Sequence, residues 1–229
     1  MDFCGLTKTS TLDYPGKIAA VLFAPLCNYD CFYCHNRALL EKEAPLMDPK
    51  EITDFLDKRQ GLVDAVVLTG GEATLQSGLV DFAKMLKDKG YLVKLDTNGS
   101  NPDVVQKLID GKLLDYVALD YKAPWDRYTE ICGKGADSEA VKKTIDFLVD
   151  AGFDFELRTT VIPQLSLKDL TQMAQAVPKV PHFMLQQYKE PQYYKPEDQF
   201  RIRQKPYGLL TLIEMAGKIS PLQPNVAVR

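Results

Sequence analysis

Between residues 17 and 186 the chain alternates six times between short apolar, β-branched runs and longer runs of helical period. That alternation restricts the fold more than any other feature. Strands are predicted over residues 17–24, 65–69, 91–96, 116–121, 155–162 and 182–186. Helices are predicted over 48–58, 79–89, 103–110, 138–150, 167–177 and 206–216. Asp48 and Glu51 have the spacing of a capping box. Gly90, Gly111 and Gly152 stand where helices should stop. Strand–helix repeats of this kind argue a parallel sheet, either open and doubly wound or closed toward a barrel. The polar residues favour the barrel. Segments 27–34, 70–72, 96–99 and 120–122, together with Arg158, Gln186 and Gln187, sit late in strands or just past them. A barrel gathers such ends on one face. The expectation is an α/β chain forming an incomplete (β/α)6 TIM-like barrel. It is one domain over residues 1–229, with a core over about 17–190 and a helical extension over about 191–229. The proline- and tyrosine-rich stretch 191–196 reads as a surface loop with the make-up of a lid.

The first predicted strand runs into Cys27-Asn-Tyr-Asp-Cys31-Phe-Tyr-Cys34, a C-x3-C-x2-C spacing with no fourth cysteine nearby. A closed four-iron cluster takes four thiolates. Three would hold three irons and leave one open, and an open position marks a catalytic centre rather than a structural one. Zinc held by the three thiolates and His35 is the competing reading, but a ligand directly after Cys34 is badly placed to complete a tetrahedron. A disulfide framework fits poorly with 5 cysteines in 229 residues.

The net charge of −3 offers no general attraction for nucleic acid or anionic membranes. No apolar run approaches a membrane span. The start Met-Asp-Phe-Cys-Gly lacks the basic and apolar regions of a signal peptide, so a cytoplasmic location is expected.

Several motifs together carry a resemblance. The cysteine spacing, with Tyr33 before the third cysteine, resembles the signature of the radical S-adenosylmethionine (SAM) superfamily. Thr69-Gly70-Gly71-Glu72 resembles its glycine-rich motif, and Cys34-His35-Asn36 is similar to the glycyl-radical-enzyme activases. The opening run 8–17 and the run 156–161 resemble one branch, the activating proteins of anaerobic ribonucleoside-triphosphate reductase, and Leu95-Asp96-Thr97-Asn98-Gly99 and Leu119-Asp120-Tyr121-Lys122 are similar to the activase pattern. The resemblance spans roughly residues 6–190.

What the resemblance implies is specific. A 4Fe-4S cluster on Cys27, Cys31 and Cys34 would chelate SAM through its open iron and reduce it to methionine and a 5′-deoxyadenosyl radical. That radical would take a hydrogen atom from a glycine of a partner, the anaerobic reductase by this resemblance with a pyruvate formate-lyase-like enzyme as the alternative, and flavodoxin or ferredoxin would supply the electron. The protein's share is to bind, orient and exclude water. Tyr33 would present its backbone to the adenine, or be simple core. Gly70, Gly71 and Glu72 would face the methionine amino group, the glycines allowing close approach; a tight turn is the alternative. Asp96 would help hold that amino group, with Asn98 beside it unless Asn98-Gly99 is only turn chemistry. Lys122 would pair with the SAM carboxylate unless it is a solvated lysine. Arg158, a charge in an apolar strand, needs a partner, either SAM or a structural ion pair. Gln186 and Gln187 fall where related activases carry a histidine. Cys4 and Cys132 are read as inert, and His182 as a packing or hydrogen-bonding residue. Residues 126–128 and 192–194 are read as rim contacts. A radical SAM enzyme acting on a small heterocycle, like the deazapurine synthases, and a non-catalytic metal-binding module are the other two readings.

Overall fold

The computed structural model describes residues 1–40 and 45–229. The chain forms two compact units. The first holds Met1–Asn28, Asn36–Thr97 and Asn101–Val117; the second holds Tyr29–His35, Asn98–Ser100 and Ala118–Arg229. Among the described residues the strands follow one another in chain order.

The first unit contains β1 (Gly5–Ser10), β2 (Ala19–Ala24), α1 (Pro49–Arg59), β3 (Ala65–Gly70), α2 (Leu79–Asp88), β4 (Leu92–Thr97) and α3 (Pro102–Asp110). Strands β2, β3 and β4 pair in parallel, with Ala19 opposite Ala65 and Ala65 opposite Leu92. The four residues 65–68 are all buried, the pattern of a parallel strand covered on both faces. Alternation brings Ala19 and Val21 together with Ala65 and Val67, and these pack with Tyr14 and Tyr116 as one apolar cluster. Each large side chain so buried contributes about 1.5–3 kcal/mol. Strand β1, which the sequence reading missed, pairs antiparallel with β2. It carries exposed Thr7, Lys8 and Thr9, as edge strands often do, and so lacks an apolar signal.

The second unit takes in most of β5 (Tyr116–Asp120), then α4 (Tyr128–Cys132), α5 (Ser138–Asp150), β6 (Phe155–Val161), α6 (Leu167–Gln175), β7 (His182–Gln187), α7 (Gln199–Ile202), α8 (Leu209–Ile219) and β8 (Val226–Val228). Strands β6, β7 and β8 pair in parallel. The stretch after 191 is therefore not purely helical, because it ends in a short strand against β7.

Two capping expectations change. Asp48 does cap α1, but its carboxylate accepts from Lys50 N–H, whereas a reciprocal box needs Glu51. The box is at Ser166 and Asp169, at the start of α6. Gly90 and Gly152 take the left-handed conformation expected of helix stops (φ 85° and 60°). Gly111 does not: its φ is −74°, and Lys112 makes the left-handed step at φ 55°. Among the described residues no helix is long and apolar enough to cross a membrane. The predicted α/β class, with strands in chain order, agrees with the observed architecture.

Candidate active site

In the first unit, the backbone entering the cysteine loop rests on the Gly-Gly turn after β3. A Cβ on Gly71 would lie 1.7 Å from the Leu26 carbonyl oxygen, and one on Gly70 would lie 2.3 Å from Ala24 N and O. Gly70 also holds φ 120°. Gly71 N–H donates to Ala24 O at 2.9 Å, and Glu72 N–H to Leu26 O at 2.7 Å. Leu26 stands at φ 65°, an unfavourable conformation for a branched side chain. Its backbone is bonded at both ends, since Leu26 N–H donates to Leu39 O at 2.8 Å. The Asn36 amide donates to Gly70 O at 2.9 Å. The close approach these glycines permit is thus first an approach to the chain's own residues 24–26, immediately before Cys27.

Glu72 is buried and braces the turn. Its Oε1 accepts from Thr74 N–H (3.1 Å), the Thr74 hydroxyl (2.6 Å) and the Thr97 hydroxyl (2.8 Å). Asp96, late in β4, pairs with buried Lys94 at 3.0 Å. Asn98 and Gly99 show the turn chemistry offered as their alternative. The Asn98 side chain accepts from Ser100 N–H at 2.9 Å, and Gly99 holds φ 76° with its carbonyl accepting from the Thr144 hydroxyl.

In the second unit, charge dominates. Asp120 accepts from Lys122 Nζ at 2.8 Å and Arg158 Nε at 2.7 Å. Burial alone would raise the Asp120 carboxyl, but the Arg158 and Lys122 charges outweigh it and hold it well below the usual range. Burial likewise opposes the Lys122 charge, and Asp120, with Tyr33 and Cys31, reverses that and raises it. Arg158 Nη1 lies 3.9 Å from buried Glu156, which is clasped by Arg229 at 3.0 and 3.4 Å. The Gln186 amide oxygen accepts from Arg229 Nε and Nη2 when its amide faces that way. Gln187 donates to Tyr207 O. The side chains of Gln186 and Gln187 therefore bind Arg229 and the Tyr207 backbone.

Residues 29–35 of the cysteine loop belong to this unit. Asp30 N–H donates to Cys132 O at 2.9 Å, and Gly133 packs so closely that a Cβ there would lie 3.0 Å from Asp30 Cβ. Arg201 lies 3.7 Å from the centre of the Phe32 ring, and Lys195 pairs with Asp30. Tyr33 is buried with its ring against Phe32. Cys132, read as inert, lies in hydrogen-bonding contact with Cys31. That bond holds the Cys31 thiol below the ordinary cysteine value, against burial and with help from the Lys122 charge. Burial first, then the Cys31 contact, pushes Cys132 well up. The contact therefore makes Cys31 the easier of the two thiols to deprotonate.

The thiolate is the metal-binding form of cysteine, so the donor chemistry fits an iron cluster. All five cysteines are free thiols. Among the described residues no three His, Cys, Asp or Glu side chains converge as they would on a single ion. A cluster does not ask for that convergence, since each thiolate takes its own iron.

Other candidates are placed elsewhere. Tyr128 is buried against Tyr29 rather than on a rim, and Arg127 is engaged by Glu130, Asp169 and Gln164 O. Tyr193 is exposed. His182 is exposed 3.3 Å from Asp154, and Cys4 bonds Phe23 O. His35 is pushed down by burial, opposed by a bond with the Lys189 backbone. The sequence reading missed Lys94, Glu156, Arg229 and the contact made by Cys132. Lys94/Asp96 and Glu156/Arg158 each carry a legible signal, two charges two residues apart in an apolar strand and hence on one face.

The radical SAM superfamily model matches residues 21–177. A Methanocaldococcus jannaschii protein, provisionally named a glycyl-radical enzyme activating enzyme, is 37% identical over 199 residues, covering 84% of this chain and 82% of its own. The 7-carboxy-7-deazaguanine synthase of Clostridium acetobutylicum is 30% identical over 161 residues, covering 68% of this chain and 71% of its own. Among solved structures, Streptococcus suis SuiB bound to S-adenosylmethionine superposes with a TM-score of 0.69 at 17% identity, over 91% of this chain and 51% of SuiB, which supports the fold. With the family model covering more than half of its length, this chain belongs to the radical SAM superfamily.

Proposed function

We propose that this protein is a glycyl-radical-enzyme activase and that its partner is an anaerobic ribonucleoside-triphosphate reductase. The observation that carries the reading is the 37% identity to the M. jannaschii protein over most of both chains, joined to the Cys34-His35-Asn36 continuation. With a 4Fe-4S cluster and SAM bound and one electron delivered by flavodoxin or ferredoxin, the pair supplies methionine and a 5′-deoxyadenosyl radical able to take a glycine hydrogen atom.

This chain's residues hold and orient. Cys27, Cys31 and Cys34 would each take one iron. The amino-acid end of SAM carries one positive and one negative group, and the candidate residues include both complements. Asp96 would accept from the ammonium, with Asn98 beside it, while Lys122 and Arg158 would attract the carboxylate. Asp120 keeps those two cations at fixed positions. Gly70, Gly71 and Glu72 would act mainly by setting the backbone before Cys27, and Tyr33 by lining the loop.

Anaerobic reconstitution with iron and sulfide, then EPR of the reduced protein with and without SAM, tests the cofactor assignment. Adding the anaerobic reductase and reading for a glycyl doublet tests the partner. Failure to bind SAM at the cluster would sink the reading. The Clostridium relative supports one alternative, a small-molecule substrate of the deazapurine-synthase kind. Turnover of a small heterocycle without any protein partner would put that reading first.

A further inference from the structure

Lys94 is a buried cation with no role in the scheme above. It precedes Asp96 by two residues in β4, so both side chains leave the strand on one face. Its side chain is 2% exposed, and its ammonium lies 3.0 Å from Asp96 Oδ1. It also donates to the Asp13 carbonyl at 2.6 Å and stands 6.0 Å from the centre of the Tyr116 ring. A charge at this depth is costly unless paired and hydrogen-bonded. Asp96 and the Asp13 carbonyl meet that demand.

The Asp13 carbonyl is itself held. It belongs to the turn after β1, where Ser10 Oγ accepts from Leu12 N–H at 3.1 Å and Asp13 N–H at 3.3 Å. Tyr14, next along, is buried with its ring 5.9 Å from that of Tyr116. A chain of fixed contacts thus runs from the opening run of the sequence, through Lys94, to Asp96.

We propose that Lys94 is the positioning residue for Asp96, and that the turn at residues 10–14 sets Lys94. The inference rests on reading Asp96 as the acceptor for the SAM ammonium. Lys94 touches no reacting atom. It fixes the carboxylate before the ligand arrives, so that binding does not spend side-chain entropy on ordering it. It also offsets the cost of keeping a carboxylate 11% exposed. The turn at residues 10–14 acquires a use on this account: it anchors the lysine through a backbone carbonyl, a contact that does not depend on the identity of the side chain at position 13.

The test is a double-mutant cycle on the reconstituted protein, with Lys94→Met, Asp96→Asn and both together. SAM affinity is read from titration of the cluster EPR signal, and thermal melting of the SAM-free protein is followed alongside. Lys94→Met should weaken SAM binding on the order of tenfold, the effect of leaving the carboxylate for the ligand to order. In the Asp96→Asn background it should cost nothing further, and the SAM-free cluster signal should stay as in wild type. An equal loss in both backgrounds, or no loss in either, overturns the proposal. If Lys94→Met fails to fold, Lys94→Arg carries the test, because it keeps the charge but changes the reach. Its loss should again appear only when Asp96 is present. A wild-type cluster indifferent to SAM would remove the functional reading and this inference with it; a normal wild-type response with an unaffected Lys94→Met removes only this inference.

Discussion

Residues 24–26, just before Cys27, and residues 30–31, at the middle cysteine, are held by different means. The first segment lies against Gly70 and Gly71 through backbone hydrogen bonds, at distances that leave no room for a methyl group. The second is held by the Asp30–Cys132 backbone bond and the Cys31–Cys132 contact, in the field of Lys122 and of Asp120, which Arg158 pairs. Shape fixes one end of the ligand loop and electrostatics the other. The first should therefore fail through sterics at any pH, and the second through protonation and charge removal.

Gly71→Ala should give the largest effect. A Cβ 1.7 Å from a carbonyl oxygen forces the backbone to move, since no rotamer change relieves it. The cost should reach about 4 kcal/mol or more, at the extreme of single substitutions. Thermal denaturation together with iron uptake would measure it. A melting temperature within a few degrees of wild type would mean that the approach to Leu26 is not a constraint.

Arg158→Met attacks the other segment. It removes the nearer of the two cations on Asp120 and leaves Lys122 alone beside it, and breaking a buried pair by removing one partner typically costs about 3–5 kcal/mol. Asp120 keeps 26% side-chain exposure, so about 2–3 kcal/mol is expected here. The double variant Asp120→Asn, Arg158→Met should recover part of that loss in denaturant unfolding. If the double variant is no better than the single, the charge pairing is not what holds this region.

The pH response separates the two further. Asp120 binds its proton less readily folded than unfolded, because Arg158 and Lys122 together outweigh burial. Its contribution is therefore complete above the unfolded carboxylate value of about 3.9 and disappears as pH falls below it. Stability should drop on acidification through that window, and Asp120→Asn should flatten the drop. An unchanged acid profile in the variant would show that other carboxylates carry it.

How far the sequence reached follows the same division. Apolar runs made β2 to β7 legible, most plainly β2 and β3, because parallel strands buried on both faces are near-continuously apolar. β1 and β8 were not legible, one being a polar edge strand and the other only three residues long. Gly70 and Gly71 stood out as residues, but the partner they meet, the Leu26 carbonyl, depends on chain crossing that no local pattern encodes. Arg158 advertised its need for a partner as a charge in an apolar strand, and Asp120 supplies it. Cys132 lies a hundred residues from Cys31 and could not be paired with it by spacing. Lys112 took the left-handed step assigned to its glycine neighbour because either residue can end the helix there, and only tertiary context selects between them.

The smallest effect should come from Lys195→Ala, which asks whether charge near the cysteine loop matters wherever it occurs or only where it is shielded from water. Lys195 pairs with Asp30, the residue before Cys31, but the two side chains are 40% and 51% exposed. Exposed pairs gain little, since water and salt screen them and two long side chains must be ordered. The expected loss is below about 0.5 kcal/mol, with iron uptake and the reduced cluster signal unchanged. Asp30 would still be held by its N–H bond to Cys132 O and by the packing of Gly133. A loss comparable to that of Arg158→Met would instead make the 195–201 segment a working clamp on the loop, with Arg201 over Phe32 as its second contact. The division between shape and charge would then have to be redrawn to include the surface.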